Sequence, residues 1–218
     1  MRTGDSHIDP DHGADEGLRS DARANRERLV DAARAAFATH GVDVPLSTIA
    51  RRAGVSPATL YRRFPTRTSL VASAFAEQLS ECSALLSTAL ADPDAWRGLC
   101  GLIDAVCSMQ ARSRGFSSAF LALYPTMVEA DEPRRQAEQD LLDLVDRAKR
   151  SGALRADFDH TDIYLIMLAN DGVVARSPQT AVAASRRLVA YFLQAARAGS
   201  GLPLPPPAQV GISDLLPE

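Results

Sequence analysis

The sequence predicts an all-α protein. Three observations predict it: apolar residues recur at helical spacing from about residue 21 to residue 198, no segment sustains a period-two alternation, and Gly, Pro and Asp signals separate the periodic stretches. With 218 residues, 46% of them apolar and 23% charged, the chain can bury one sizeable core, or a small one beside a medium one.

The elements follow in order. Residues 1–18 are rich in Asp, Gly and His with little apolar content, and are expected to be a disordered tail. A first helix spans about Asp21 to His40, with Leu29, Ala32, Ala33, Ala36 and Phe37 on one stripe and Gly41 closing it. Two short helices lie between Leu46 and Phe64. A long fourth helix is expected from about Thr66 to Leu90, ended by Asp92-Pro93-Asp94. A fifth spans about Asp94 to Arg112, carrying Trp96, Leu99, Ile103 and Cys107 inward. Gly115 separates it from a sixth, about Phe116 to Glu129. Pro133 opens a seventh that runs to Ser151. The eighth is expected at Thr161 to Val174, and Ser177-Pro178 starts a ninth ending near Ala198. Residues 199–218 carry Leu-Pro-Leu-Pro-Pro-Pro, which cannot be helical and reads as an extended tail along the body. Nine helices result. The expected domains are 19–72 and 73–198, with their boundary inside the fourth helix near Ser73.

Composition narrows the function. No run reaches the roughly 18 apolar residues a bilayer requires, and Met1 to Leu18 has no secretory h-region, so the expected location is cytoplasmic. Cys82, Cys100 and Cys107 form no CxxC pair; small buried hydrophobes or thiol sensors are the two readings. No metal site, cofactor loop or catalytic constellation is recognisable: HExxH, GxSxG and a phosphate-cradling Gly loop are absent. The formal net charge is −3, yet residues 19–70 hold ten Arg against four acids. The segments on either side are net acidic. A concentrated basic segment on an acidic chain is the footprint of a nucleic-acid face.

That segment contains Leu46-Ser47-Thr48-Ile49-Ala50-Arg51-Arg52-Ala53-Gly54-Val55-Ser56-Pro57-Ala58-Thr59-Leu60-Tyr61-Arg62-Arg63-Phe64. Ser47 can cap the first short helix. Ala50 is small where two helices must approach, Gly54 permits the sharp turn, and Ser56-Pro57 caps and starts the next helix at once. Leu60 and Phe64 anchor it from below. This register satisfies a helix-turn-helix.

The stretch from Ile49 to Ser56, with Thr59 to Arg67 and the first-helix ending Phe37-Ala38-Thr39-His40-Gly41, resembles the tetracycline-repressor (TetR) family of bacterial regulators. The strong resemblance covers about residues 22–72. Leu154-Arg155-Ala156-Asp157 and the Pro-rich end resemble an actinobacterial, SbtR-like C-terminal subgroup. The resemblance implies a nine-helix TetR-like fold and a non-enzymatic regulator. It further implies a ligand-responsive repressor that binds a palindromic double-stranded DNA operator as a homodimer and is released by a small molecule.

Side-chain chemistry and this resemblance together assign roles. Pro57, Ala58 and Thr59 would face base edges, and Arg62 would read guanine bidentately. Tyr61 and Arg67 would hold phosphates, as would Ser47 and Thr48 at a helix N-terminus; Arg63 could do either. Tyr61 as a core residue, and Arg51 and Arg52 as a merely solvated face, are the plainer alternatives. The family's pocket and dimer helices imply that Trp96, Met109, Phe116, Phe120, Tyr124, Met127 and Asn170 are ligand-pocket candidates. They also imply pairing through the last two helices. A regulator whose body is structural or partner-responsive is the competing reading.

Overall fold

The computed structural model describes residues 11–113, 115–116, 132–173, 175–199 and 201–207. They hold nine helices: α1 Asp11–His40, α2 Leu46–Ala53, α3 Pro57–Arg63, α4 Arg67–Ala74, α5 Ala76–Ala91, α6 Ala95–Arg112, α7 Glu132–Arg150, α8 Thr161–Asp171 and α9 Pro178–Ala196. Among the described residues the only β pairing is one isolated bridge between Leu154 and Arg197. The fold is all-α.

Two expectations about the elements are corrected. Helix α1 begins at Asp11 rather than near Asp21; residues 1–10 lie outside the described ones. Ala14, Glu16, Leu18 and Arg19 are good helix formers, which favours a helix upstream of Asp21. The long fourth helix is two helices that meet at Phe75, whose φ/ψ of −116°/24° interrupts the run. Phe75 is fully buried there, its ring centroid 6.2 Å from that of Phe37 and 5.6 Å from that of Phe116. Tertiary packing of one ring thus overrides a helical period that looks continuous. The expected sixth helix falls almost wholly on residues 117–131, outside the described ones.

Side-chain caps set several starts. Ser56 accepts from the Thr59 amide, Asp94 from that of Arg97 and Ser177 from that of Thr180. Thr66 and Ser69 form a reciprocal capping box at α4. Such caps contribute about 1 kcal/mol each.

Two apolar clusters result. The first gathers α1 to α4 around Leu29, Phe37, Ile49, Leu60, Leu70 and Phe75, and it also takes in Met109 and Phe116. The second surrounds the central helix α6, joining Leu99, Ile103 and Cys107 to Leu144, Ile166 and Val189. Just after α6, Gly115 approaches α1 so closely that a Cβ there would lie 2.7 Å from the Ala38 Cα and N. In the Pro-rich segment, Leu202 and Leu204 are tied to the body. The Arg155 guanidinium, paired with Asp157, donates to the Leu202 carbonyl at 2.8 Å, and the Leu204 amide donates to the Asp157 carboxylate at 2.8 Å. This pairing and the Leu204 amide hold the Asp157 carboxyl well below its ordinary pKa.

Candidate nucleic-acid interface and ligand cavity

The helix-turn-helix is built by local chemistry. Gly54 adopts φ 69°, ψ 30°, the left-handed conformation that lets α2 stop and the chain reverse. The Val55 amide then donates to the Ala50 carbonyl at 3.0 Å. Ile49, Ala50, Ala53 and Leu60 are buried against α1, with Phe64 closing the cluster. One detail differs: α2 starts at Leu46 with Pro45 at the N-cap, so Ser47 is inside the first turn and does not cap. Proline supplies an extended φ and ψ there, which leaves Ser47 exposed.

Seen from outside, α3 presents Pro57, Ala58, Tyr61, Arg62 and Arg63, all exposed. Tyr61 is 53% exposed, so the alternative of a core tyrosine does not hold. Thr59 is half-buried and shares a 2.9 Å hydrogen bond with Ser56, which leaves its methyl group as its outward offering. The side chains of Arg51, Arg52, Arg62 and Arg63 make no hydrogen bond or ion pair among the described residues. The body's Arg97, Arg112 and Arg155 each have an acidic partner. An arginine surface left unpaired by its own chain is free to meet an external polyanion.

Arg67 is placed differently from its neighbours. Its Nη1 donates to the Val42 carbonyl and, at 2.9 Å, to the Val44 carbonyl, tying the α1–α2 loop to the first turn of α4. Arg26 lies over the Phe64 ring at 5.6 Å and donates to Ser73, fastening α1 to the same region.

A cavity of about 380 Å³ opens between α5, α6, α7 and α8. Leu79, Cys82 and Leu86 of α5 form one wall, and Leu102 and Val106 of α6 the next. Leu141 of α7 and Ile163, Tyr164 and Met167 of α8 complete it, with Phe116 at one end. Of the four sequence-derived pocket candidates among the described residues, Phe116 alone is placed on this wall. Trp96 packs against the second cluster and Met109 is buried in the first. Asn170 is a cross-helix tie: its amide nitrogen donates at 3.0 Å to the Cys107 carbonyl and at 3.0 Å to Gln110 Oε1. Phe120, Tyr124 and Met127 lie outside the described residues. The wall residues were visible in the sequence only as ordinary apolar stripes, because a helix face lining a void has the same period as one filling a core.

All three cysteines are free thiols. Burial pushes Cys82 and Cys107 up to about 12 and Cys100 up to about 11, so at neutral pH they are protonated and behave as small hydrophobes. Among the described residues no cluster of His, Cys, Asp and Glu could hold a metal ion, and no helix is long and apolar enough to cross a membrane.

Residues 29–74 match the family of bacterial regulatory proteins described as tetR. The helix-turn-helix segment of the chain is TetR-like. The match falls on α1 to α4, the segment that carries the helix-turn-helix and the unpaired arginines. Two solved structures agree in fold. A γ-butyrolactone receptor superposes with a TM-score of 0.56 at 19% identity, over 82% of this chain and 90% of that one. A TetR-family regulator from Marinobacter aquaeolei gives 0.53 at 18%, over 83% and 99%. A TetR regulator from Streptomyces coelicolor shares 26% identity over 80% of this chain and 99% of its own, with a TM-score of 0.43. No curated protein matches the chain in sequence.

Proposed function

We propose that this protein is a regulator of the TetR kind, a ligand-responsive repressor that binds a palindromic operator as a homodimer and is released by a small molecule. Residues 19–72 hold the DNA and residues 73–198 the ligand and the partner copy. The observation that carries the reading is the exposed face of α3, whose Arg62 and Arg63 have no partner among the described residues, directly after the Gly54 turn. Pro57, Ala58 and Thr59 then reach base edges, and Arg62 reads guanine. Tyr61, Ser47, Thr48 and Arg67 position the phosphate backbone.

A second copy supports selectivity, because one helix-turn-helix reads too few base pairs alone. On α8 and α9, Val189 is buried within the subunit and Phe192 and Leu193 pack against its core, whereas Leu165 and Tyr191 remain 42% and 57% exposed. The outward Leu165 and Tyr191 are the residues on these helices that pairing would cover.

Selection of bound duplexes from a random pool tests the reading. Two inverted half-sites about one helical turn apart are expected; a bound pool without inverted symmetry would remove the palindromic dimer. Arg62→Ala should relax base preference at one position per half-site, at a cost of roughly 1–3 kcal/mol. An unchanged selected sequence would sink that role. Arg67→Ala should weaken binding to all sequences and flatten the salt dependence. It should also lower stability by about 1–3 kcal/mol, since the loop carbonyls lose a charged donor. A loss confined to one base position would take Arg67 out of the phosphate class.

A further inference from the structure

The cavity between α5 and α8 has a chemistry of its own. At about 380 Å³ it falls within the size of small-molecule sites, which run from about 300 to 1,000 Å³. No Asp, Glu, Lys, Arg or His lines it among the described residues. Its polar side chains are Ser80, Ser83, Tyr164 and the thiols of Cys82 and Cys107. The Ser83 hydroxyl is committed to the Leu79 carbonyl of its own helix at 3.1 Å. Ser80 is exposed and stands at the mouth. Both thiols are kept neutral by burial. An ionised ligand would therefore leave water for a wall whose described residues offer it no counter-charge, and that cost exceeds what apolar contact returns.

We propose that the effector is an uncharged, predominantly apolar molecule. It lies between α5, α6, α7 and α8 with any hydroxyl or carbonyl group directed toward Ser80, and carries no carboxylate, phosphate or ammonium group. This rests on the reading of the cavity as the effector site. Phe116 makes occupancy consequential, because it is both wall and the outer ring of the Phe116–Phe75–Phe37 stack that reaches α1. A ligand that presses on Phe116 presses on the junction of α4 and α5.

The test uses the full chain and paired probes. N-phenylnaphthylamine, neutral and fluorescent in apolar surroundings, should bind saturably with one site per chain. Its sulfonated analogue, anilinonaphthalene sulfonate, should bind roughly 100-fold more weakly or not at all, as should decanoate beside decanol in competition. Leu86→Trp, which fills the cavity, should abolish probe binding while the helical circular dichroism is retained. Should that variant fail to fold, Ala137→Leu from the α7 wall serves the same purpose. Equal or tighter binding of the anionic partner in either pair would overturn the proposal. So would probe binding that survives both substitutions in folded protein. Operator binding is measured separately: failure to select any DNA sequence would remove the repressor reading and leave the probe result standing.

Discussion

Phe75→Ala is expected to destabilise the protein by about 3–5 kcal/mol, the range for truncating a fully buried aromatic ring. Phe75 is 1% exposed, and its ring sits between those of Phe37 and Phe116. Removing it leaves a void in the first apolar cluster, beside Phe37 and Phe116, and it also forfeits two aromatic contacts. The measurement is thermal or denaturant unfolding, in which about 2–4 °C is lost per kcal/mol for a chain of this size. A loss below about 1 kcal/mol would show that the site collapses around the void and that the stack is not a structural joint. Phe75→Leu separates stability from coupling. It keeps most of the volume, so stability should fall by less, while the change in DNA affinity on filling the cavity should shrink because a ring no longer links Phe116 to Phe37.

Gly115→Ala should cost about 2–5 kcal/mol, from left-handed backbone strain and a steric clash together. Gly115 has φ 82°, and an added Cβ would meet the Ala38 Cα and N at 2.7 Å and the Phe37 carbonyl carbon at 2.8 Å. Those atoms belong to the backbone of α1, which cannot rotate aside as a side chain would. Gly152→Ala is the control. It has φ 73° with nothing within 4 Å of its Cβ, so it carries the strain without the clash and should cost only about 1–2 kcal/mol. Equal losses for the two variants would mean that the close approach at Ala38 contributes nothing. A larger loss for Gly115→Ala, with weaker DNA binding, would place the contact between α1 and the end of α6 in the path from cavity to DNA.

Much of this protein was legible without coordinates, and the legible part has a common character. Helix starts at Ser56, Thr66, Asp94 and Ser177 are written in single capping side chains. The turn at Gly54 needs one residue type, and the buried positions Leu29, Ala33, Phe37, Ile49 and Leu60 follow a 3.6-residue period. The segregation of Arg into residues 19–70 is a property of the chain itself. These signals act over a few residues, so the sequence alone determined the all-α class, the helix-turn-helix register and the cationic segment. Tertiary structure decided the rest. Periodicity reports that a face is buried but not against what, so Leu79, Leu86 and Met167 could as well have filled a core as bounded a cavity. For the same reason Met109 and Asn170 passed for pocket residues when one is core and the other a tie between α6 and α8. The break at Phe75, the turn of Arg67 toward the Val42 and Val44 carbonyls, and the seat of Gly115 on Ala38 depend on partners 23 to 77 residues away in the chain. Only packing brings such partners together, and no local pattern encodes it.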